Sequence, residues 1–278
     1  MRLGGVPVLG LWARRAAMAR HAGSVAGVAA FSSAPPDLML EAEVVLLAVR
    51  DSAIGEVAKM LLGTGLVNKR HVLLHCGGSA SAEEVFSDVS SRVGGIGTLH
   101  PLTAIADGKL AMRALKGTAF GVEGNERGVA MAGKLASAMG GVVLPLRREQ
   151  MAAYHAAASL ASNYVVAMLD AAVRGLVSTG VSVADATAAL VGLADGALRN
   201  IVAHGTTYGL TGPVRRGDSA TVERHLEALS GQPELLEIYR VLARHATEMA
   251  SRIEARPDAL DSTPDRTGLD AIRVLLQR

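Results

Sequence analysis

The hydrophobic rhythm of this chain changes once, near Arg147, and the two rhythms demand different layers. From Val44 onward, short apolar runs alternate with helical patterns, which is how βαβ units feeding a parallel sheet read. Residues 44–49 are continuously apolar and predict a central strand covered on both faces. Ile54, Val57, Ala58, Leu61 and Leu62 share one helix face, closed by Gly63 and Gly65. A strand over 71–76 follows, and Ser81 to Glu84 reads as a capping box. Further strands are expected at 95–99, 118–122 and 141–146, with a helix over 126–139, and one more strand at 8–12; all are expected to run the same way. Beyond Arg147 only helices are predicted, over 149–178 and from Ser182 to about His204, then one capped by Asp218 and one opened by Pro233. The expected fold class is α/β, a Rossmann-like parallel sheet followed by an all-helical second domain. Its boundaries are 1–147, 148–255, and a polar tail with a short helix over 256–278.

Composition narrows the function classes. Lys+Arg number 28 against 26 Asp+Glu, with no basic stripe interleaved with aromatics, so a nucleic-acid partner is not expected. The one cysteine, Cys76, excludes an internal disulfide and a thiolate zinc cluster and points to a reducing, cytoplasmic compartment; no metal is expected. Residues 1–36 lack acidic side chains and carry Arg2, Arg14, Arg15 and Arg20, which an organelle address would also show. Residues 151–169 carry no full charge, but Tyr154, His155, Ser159, Ser162 and Asn163 favour a helix buried between domains or subunits over a membrane span.

The residues able to carry chemistry fall where a parallel sheet binds ligands, beyond the carboxyl ends of its strands. They are Val49-Arg50-Asp51, His75-Cys76-Gly77-Gly78 and His100-Pro101. The glycines either admit a ligand close to backbone or simply make a turn, and His75 and His100 are either ligand contacts and acid/base groups or strand-end histidines satisfied by carbonyls. His155, Ser159 and Asn163 recur every four residues, as a polar stripe facing a cleft or as interhelical bonding. At the end of the first strand, Arg14 and Arg15 stand where a dinucleotide fold reads the adenosine ribose; arginine there accepts the 2′-phosphate of NADP, and the alternative is an exposed helix-start pair. The Gly-x-Gly-x-x-Gly turn that should come about 20 residues earlier is not in the sequence, nor are its strand and most of its helix.

Several runs carry a resemblance: 44–54, Gly97 to Leu102, Lys116 to Gly124, Tyr154 to Ala158 with Ala161 to Tyr164, and Leu210 to Pro213 with Arg216 to Asp218. Over roughly residues 5–250 the chain resembles a bacterial group of Rossmann-like proteins with a conserved C-terminal helical domain of unknown function, to which NADP oxidoreductase activity is ascribed. That group is similar to pyrroline-carboxylate reductases, deazaflavin-dependent NADP reductases, and the 6-phosphogluconate and 3-hydroxyisobutyrate dehydrogenases. The resemblance implies NADP as cofactor and a homodimer through the helical domain. It places Arg14 near the adenosine phosphate, Val49 and Asp51 beside the pyrophosphate and nicotinamide ribose, and His100 and Pro101 near the ring; His155 and Asn163 lie on the helix facing the cleft. The dehydrogenases' lysine is replaced by Ser159, and Arg50, Cys76-Gly77-Gly78, Thr103 and Ile105 also depart from the group's pattern.

Two functions stay open on this reading. One is an NADP-dependent oxidoreductase passing hydride between NADP(H) and a small carbonyl or imine substrate in the interdomain cleft, with His155 or His100 as proton donor and Asn163 orienting the substrate. The other is a non-catalytic, degenerate relative acting as a dimeric small-molecule-binding module.

Overall fold

The computed structural model describes residues 5–105, 115–254 and 263–277. It divides into two compact units, Met1–Ser162 and Asn163–Arg278, described separately here.

In the first unit, β1 (Leu11–Ala13), α1 (Ala16–Ala26) and β2 (Ala30–Ser32) make a small parallel two-stranded sheet. The main sheet has the order β3 (Val44–Leu47), β4 (Val72–His75), β5 (Gly95–Pro101), β6 (Ala119–Gly124), β7 (Val142–Pro145). Strands β3, β4 and β5 are parallel, β6 is antiparallel to β5, and β7 is parallel to β6. The expectation that every strand runs one way is therefore corrected: β6 pairs antiparallel with β5, and β7 runs with β6, so the last two are reversed. A second correction concerns residues 44–49. Their strand is an edge of the main sheet, bonded on one side to β4, with Val44 and Leu46 only half-buried, whereas β4 is covered throughout. An apolar run reports burial and does not say how many neighbours share the ladder.

Helices cover both faces. Ile54, Val57, Ala58, Leu61 and Leu62 of α2 (Ile54–Gly63) pack with Val45, Leu47 and Leu73, joined by Ala82 of α3 (Ala82–Val85) and by Phe86. On the other face, Met131, Ala132, Leu135 and Ala136 of α4 (Glu126–Ala138) pack with Val72, Leu74, Leu99, Phe120 and Val122. The capping box forms as read, with the Ser81 hydroxyl accepting from the Glu84 amide, but it opens a single turn. Trp12 and Met39 pack against the first of these clusters. The unit closes with α5 (Met151–Ala161). The compact units thus divide later than the change of rhythm at Arg147, since Tyr154 and His155 of α5 lie against His100 of the sheet.

The second unit holds α6 (Asn163–Val177), α7 (Val183–Tyr208), α8 (Gly212–Arg216), α9 (Ser219–Ala228), α10 (Pro233–Ser251) and α11 (Arg266–Leu275). The single helix expected over 149–178 is two, α5 and α6, with regular φ/ψ lost at Ser162 (φ −124°, ψ −79°). The caps read from sequence are present: Ser182 accepts from Asp185, Asp218 from Thr221, and Pro233 sits in the first turn of α10. Regular geometry in α7 ends at Gly205 (φ 76°), close to the expected stop. Val214, Val222, Ala243, Ile272 and Leu276 form this unit's core. Of the expected polar tail, Pro257, Asp258 and Asp261 lie outside the described residues, as does Arg2; the short terminal helix is α11.

Candidate active site at the strand ends

Three consecutive parallel strands deliver their C-terminal ends to one side of the sheet, and the polar residues of the unit gather there. Asp51 follows β3 in a 3-10 turn and reaches the loop after β4. Ser79 Oγ donates to its Oδ2 at 3.3 Å, and a Cβ on Gly77 would stand 3.0 Å from its Oδ1. A side chain at 77 would press on this carboxylate, which would have to give by a few tenths of an ångström.

His100, near the end of β5, is aligned with Gly121 of β6. Its Nδ1 lies 2.7 Å from the Tyr154 hydroxyl, with the two rings edge to face and their centroids 5.5 Å apart. The next residue of α5, His155, has its ring centroid 6.0 Å from that of His100. Two glycines make the arrangement possible. A Cβ on Gly121 would stand 2.6 Å from the Tyr154 hydroxyl oxygen, and one on Gly78 would stand 2.8 Å from Nε2 and Cε1 of His100 and from Cδ2 of His155.

The electrostatics follow from burial without a fixed counter-charge. Burial pushes the His100 imidazole below its ordinary value, the neighbouring His155 pushes the same way, and Asp51 opposes them. Burial raises the Tyr154 phenol, with the Gly121 backbone acting in the other direction. At neutral pH the hydrogen-bonded pair is therefore a phenol and a neutral imidazole. Cys76 is pushed up to about 11 by burial and then by Asp51, so its thiol is no nucleophile at neutral pH.

His75 takes the same face of the sheet but lies deeper, level with Thr98. It is fully buried, stands edge-on to Phe86, and its Nε2 lies 3.0 Å from Thr98 Oγ1. Thr98 in turn donates to Glu123 Oε2 at 3.3 Å, which also accepts the Ala82 amide at 2.7 Å. This chain ties β4, β5, β6 and α3 together beneath the site.

The structure thus brings together Asp51, Gly77, Gly78, His100 and His155 from the residues named by sequence, and adds Ser79 and Tyr154. It leaves His75 in the interior, Val49 exposed beyond β3, and Arg14 and Arg15 exposed at the β1–α1 turn. Asn163 is exposed at the start of α6, in the second unit. Tyr154 enters the sequence reading only as a polar residue of 151–169, and Thr98 and Glu123 are not singled out by it. Tyr154 adjoins His155, so on a helix it points about 100° away from the four-residue stripe that selected His155. Among the described residues no group of three His, Cys, Asp or Glu side chains is placed to hold a metal ion.

Comparison with known proteins gives consistent results. A model for a domain of unknown function, DUF2520, matches residues 118–246. No curated protein matches the chain. Among solved structures, protein TM1727 from Thermotoga maritima is 28% identical with a TM-score of 0.68, covering 86% of this chain and 89% of its own. BF3122 from Bacteroides fragilis, to which NADP oxidoreductase activity is attributed, is 21% identical with a TM-score of 0.66, covering 88% and 90%. A Plasmodium falciparum pyrroline carboxylate reductase with NADP bound is 13% identical with a TM-score of 0.56, covering 87% and 97%. The fold is Rossmann-like, a parallel-dominant sheet with helices followed by a helical portion.

Proposed function

We propose that this chain is an NADP-dependent oxidoreductase acting on a carbonyl or imine group of a small molecule. The observation that carries this reading is the pairing of His100 and His155 across Gly78 at the C-terminal ends of parallel strands, where this architecture binds ligands. Gly77 and Gly78 are buried backbone whose lack of a side chain makes room for the Asp51 carboxylate and for the His100 and His155 rings, which keeps these three groups together at the strand ends. A dihydronicotinamide bound there supplies hydride; His100 and His155 supply the proton that the reduced oxygen or nitrogen needs. Likeness in fold to an NADP-bound reductase supports the cofactor class. Arg14 and Arg15, exposed at the β1–α1 turn, are assigned to the 2′-phosphate. The active species is a homodimer formed through the helical unit.

A second reading, a non-catalytic binding module, draws on one observation. The Asp51 carboxylate and the His100 and His155 rings already fill the space over Gly77 and Gly78, which leaves that backbone closed to a dinucleotide. Titration of NADPH and NADH, followed by nicotinamide fluorescence and calorimetry, separates the two readings. The oxidoreductase binds NADPH in preference to NADH, and Arg14→Glu reduces that preference by about tenfold, the equivalent of one charge-assisted contact. Absence of saturable binding by the wild-type protein overturns the proposal in favour of the module.

A further inference from the structure

The histidine stripe does not account for the shortest side-chain contact at the site, that between Tyr154 and His100. A neutral imidazole is a poor acid at Nε2 unless a second proton reaches Nδ1 as the first leaves. The structure places a phenol at that nitrogen, 2.7 Å away, and turns the opposite side of the ring, Cε1 and Nε2, toward Gly78 and His155. Gly121 is needed for this, because a side chain there would meet the Tyr154 hydroxyl first. His155 lies on the other side of His100, with no hydrogen bond to it among the described residues, and Asp51 stands near enough to act on its charge.

We infer that Tyr154 and His100 form a two-proton relay, in which Tyr154 is the positioning and proton-replenishing residue and His100 Nε2–H is the group that touches substrate. This rests on the oxidoreductase reading. As the substrate carbonyl carbon accepts hydride from the reduced nicotinamide, its π pair moves to oxygen, and that oxygen takes the Nε2 proton. An N–H bond breaks and an O–H bond forms. The Tyr154 O–H then breaks as Nδ1–H forms, leaving a neutral imidazole and a tyrosinate that regains its proton from water. The relay makes the acid available at neutral pH, where His100 is uncharged.

Nitrogen NMR of the His100 ring in the full-length protein at pH 7.5 tests the ground state without reference to activity. The relay requires an unprotonated, hydrogen-bonded Nδ1 and a protonated Nε2, with the Nδ1 resonance moving to its unbonded position in Tyr154→Phe. A protonated Nδ1 in the wild type, or an Nδ1 signal untouched by Tyr154→Phe, overturns the assignment. Gly121→Ala is a second variant that pushes the phenol away without removing it, and the same loss of the Nδ1 bond is expected. Kinetics complete the test: the wild-type reductive rate stays level from about pH 7 to 9, whereas Tyr154→Phe loses about 100-fold at pH 8 and falls with rising pH. A uniform loss with an unchanged pH profile would show a merely structural tyrosine and defeat the relay. Failure of the wild type to bind NADPH retires the oxidoreductase reading and the substrate step with it, while the nitrogen assignment stands or falls on the NMR result.

Discussion

A buried histidine is stable only in the protonation state its neighbours can accommodate. Thr98 donates its hydroxyl proton to Glu123, so its oxygen accepts from His75 Nε2–H, and the buried Nδ1 is left without a partner among the described residues. A second proton on that ring would have no acceptor. Burial accordingly lowers His75 to about 4, with Asp51 partly opposing. In the unfolded chain the ring titrates near 6.5, so between about pH 6.5 and 4 the unfolded state binds a proton that the native state refuses. Stability is present in full above that window and is lost as pH falls through it, by on the order of 3 kcal/mol. His75→Gln, followed by urea unfolding at pH 4.5 and 7, should be less stable at pH 7 yet show a much smaller difference between the two; an unchanged difference assigns the acid sensitivity elsewhere. Sequence position alone treated His75 and His100 alike, since both end a strand. What separates them is place along the ladder: both take the same face, but His75 lies against Thr98 and Phe86, whereas His100, two residues beyond Thr98, meets Tyr154 and His155 of α5, and neither strand encodes that by itself.

At the scale of elements, the apolar periods recovered most strands and helices of the first unit, because a covered strand or an amphipathic helix needs a particular residue at nearly every position. Three things were not legible. The short β2 has too few residues to carry a period. The reversal of β6 is not written in the strand, whose apolar pattern reads the same in either direction. The break at Ser162 falls in an alanine-rich stretch where either outcome keeps the pattern. Glycines meant for packing were also silent in the sequence, and Gly128 is the clearest. It lies in the first turn of α4, and a Cβ there would be driven into the Ile96 carbonyl oxygen of β5. Asn125 sets this close approach by accepting both the Ile96 and Gly128 amides, at 3.2 and 2.9 Å. Gly128→Ala ordinarily favours a helix, but here it has to move α4 off the sheet, so it should destabilise by about 3 kcal/mol and lower Tm by several degrees. A neutral or stabilising alanine in a thermal melt would show that α4 does not sit on β5 as described.

For the molecule as a whole, the helical unit leaves an apolar face without cover. Along α7, Val183 (63% exposed), Val191 (50%), Leu198 (54%), Ile201 (40%) and Val202 (88%) fall within about 100° of helix arc, a continuous stripe rather than scattered residues. Val166 of α6 adds 69% exposure in the same unit. A stripe of this width is larger than soluble monomers usually leave in water. By length and composition, residues 148–177 and 183–216 would also suit a bilayer, so lipid is the competing cover. Every 18-residue window within 183–216 contains Arg199, and every one within 148–177 contains Ser162 and Asn163, groups that would have to be placed in hydrocarbon, which a second copy of the same helix does not require. The proposed dimer therefore predicts that the wild-type protein sediments as a two-chain species in detergent-free buffer at micromolar concentration. Leu198→Glu with Val202→Glu buries two charges at the seam and should weaken that association by at least about 30-fold, giving monomers while far-UV circular dichroism keeps its helical signal. A wild-type monomer, or a protein recovered only with detergent, would set the second copy aside and leave the stripe to another occupant.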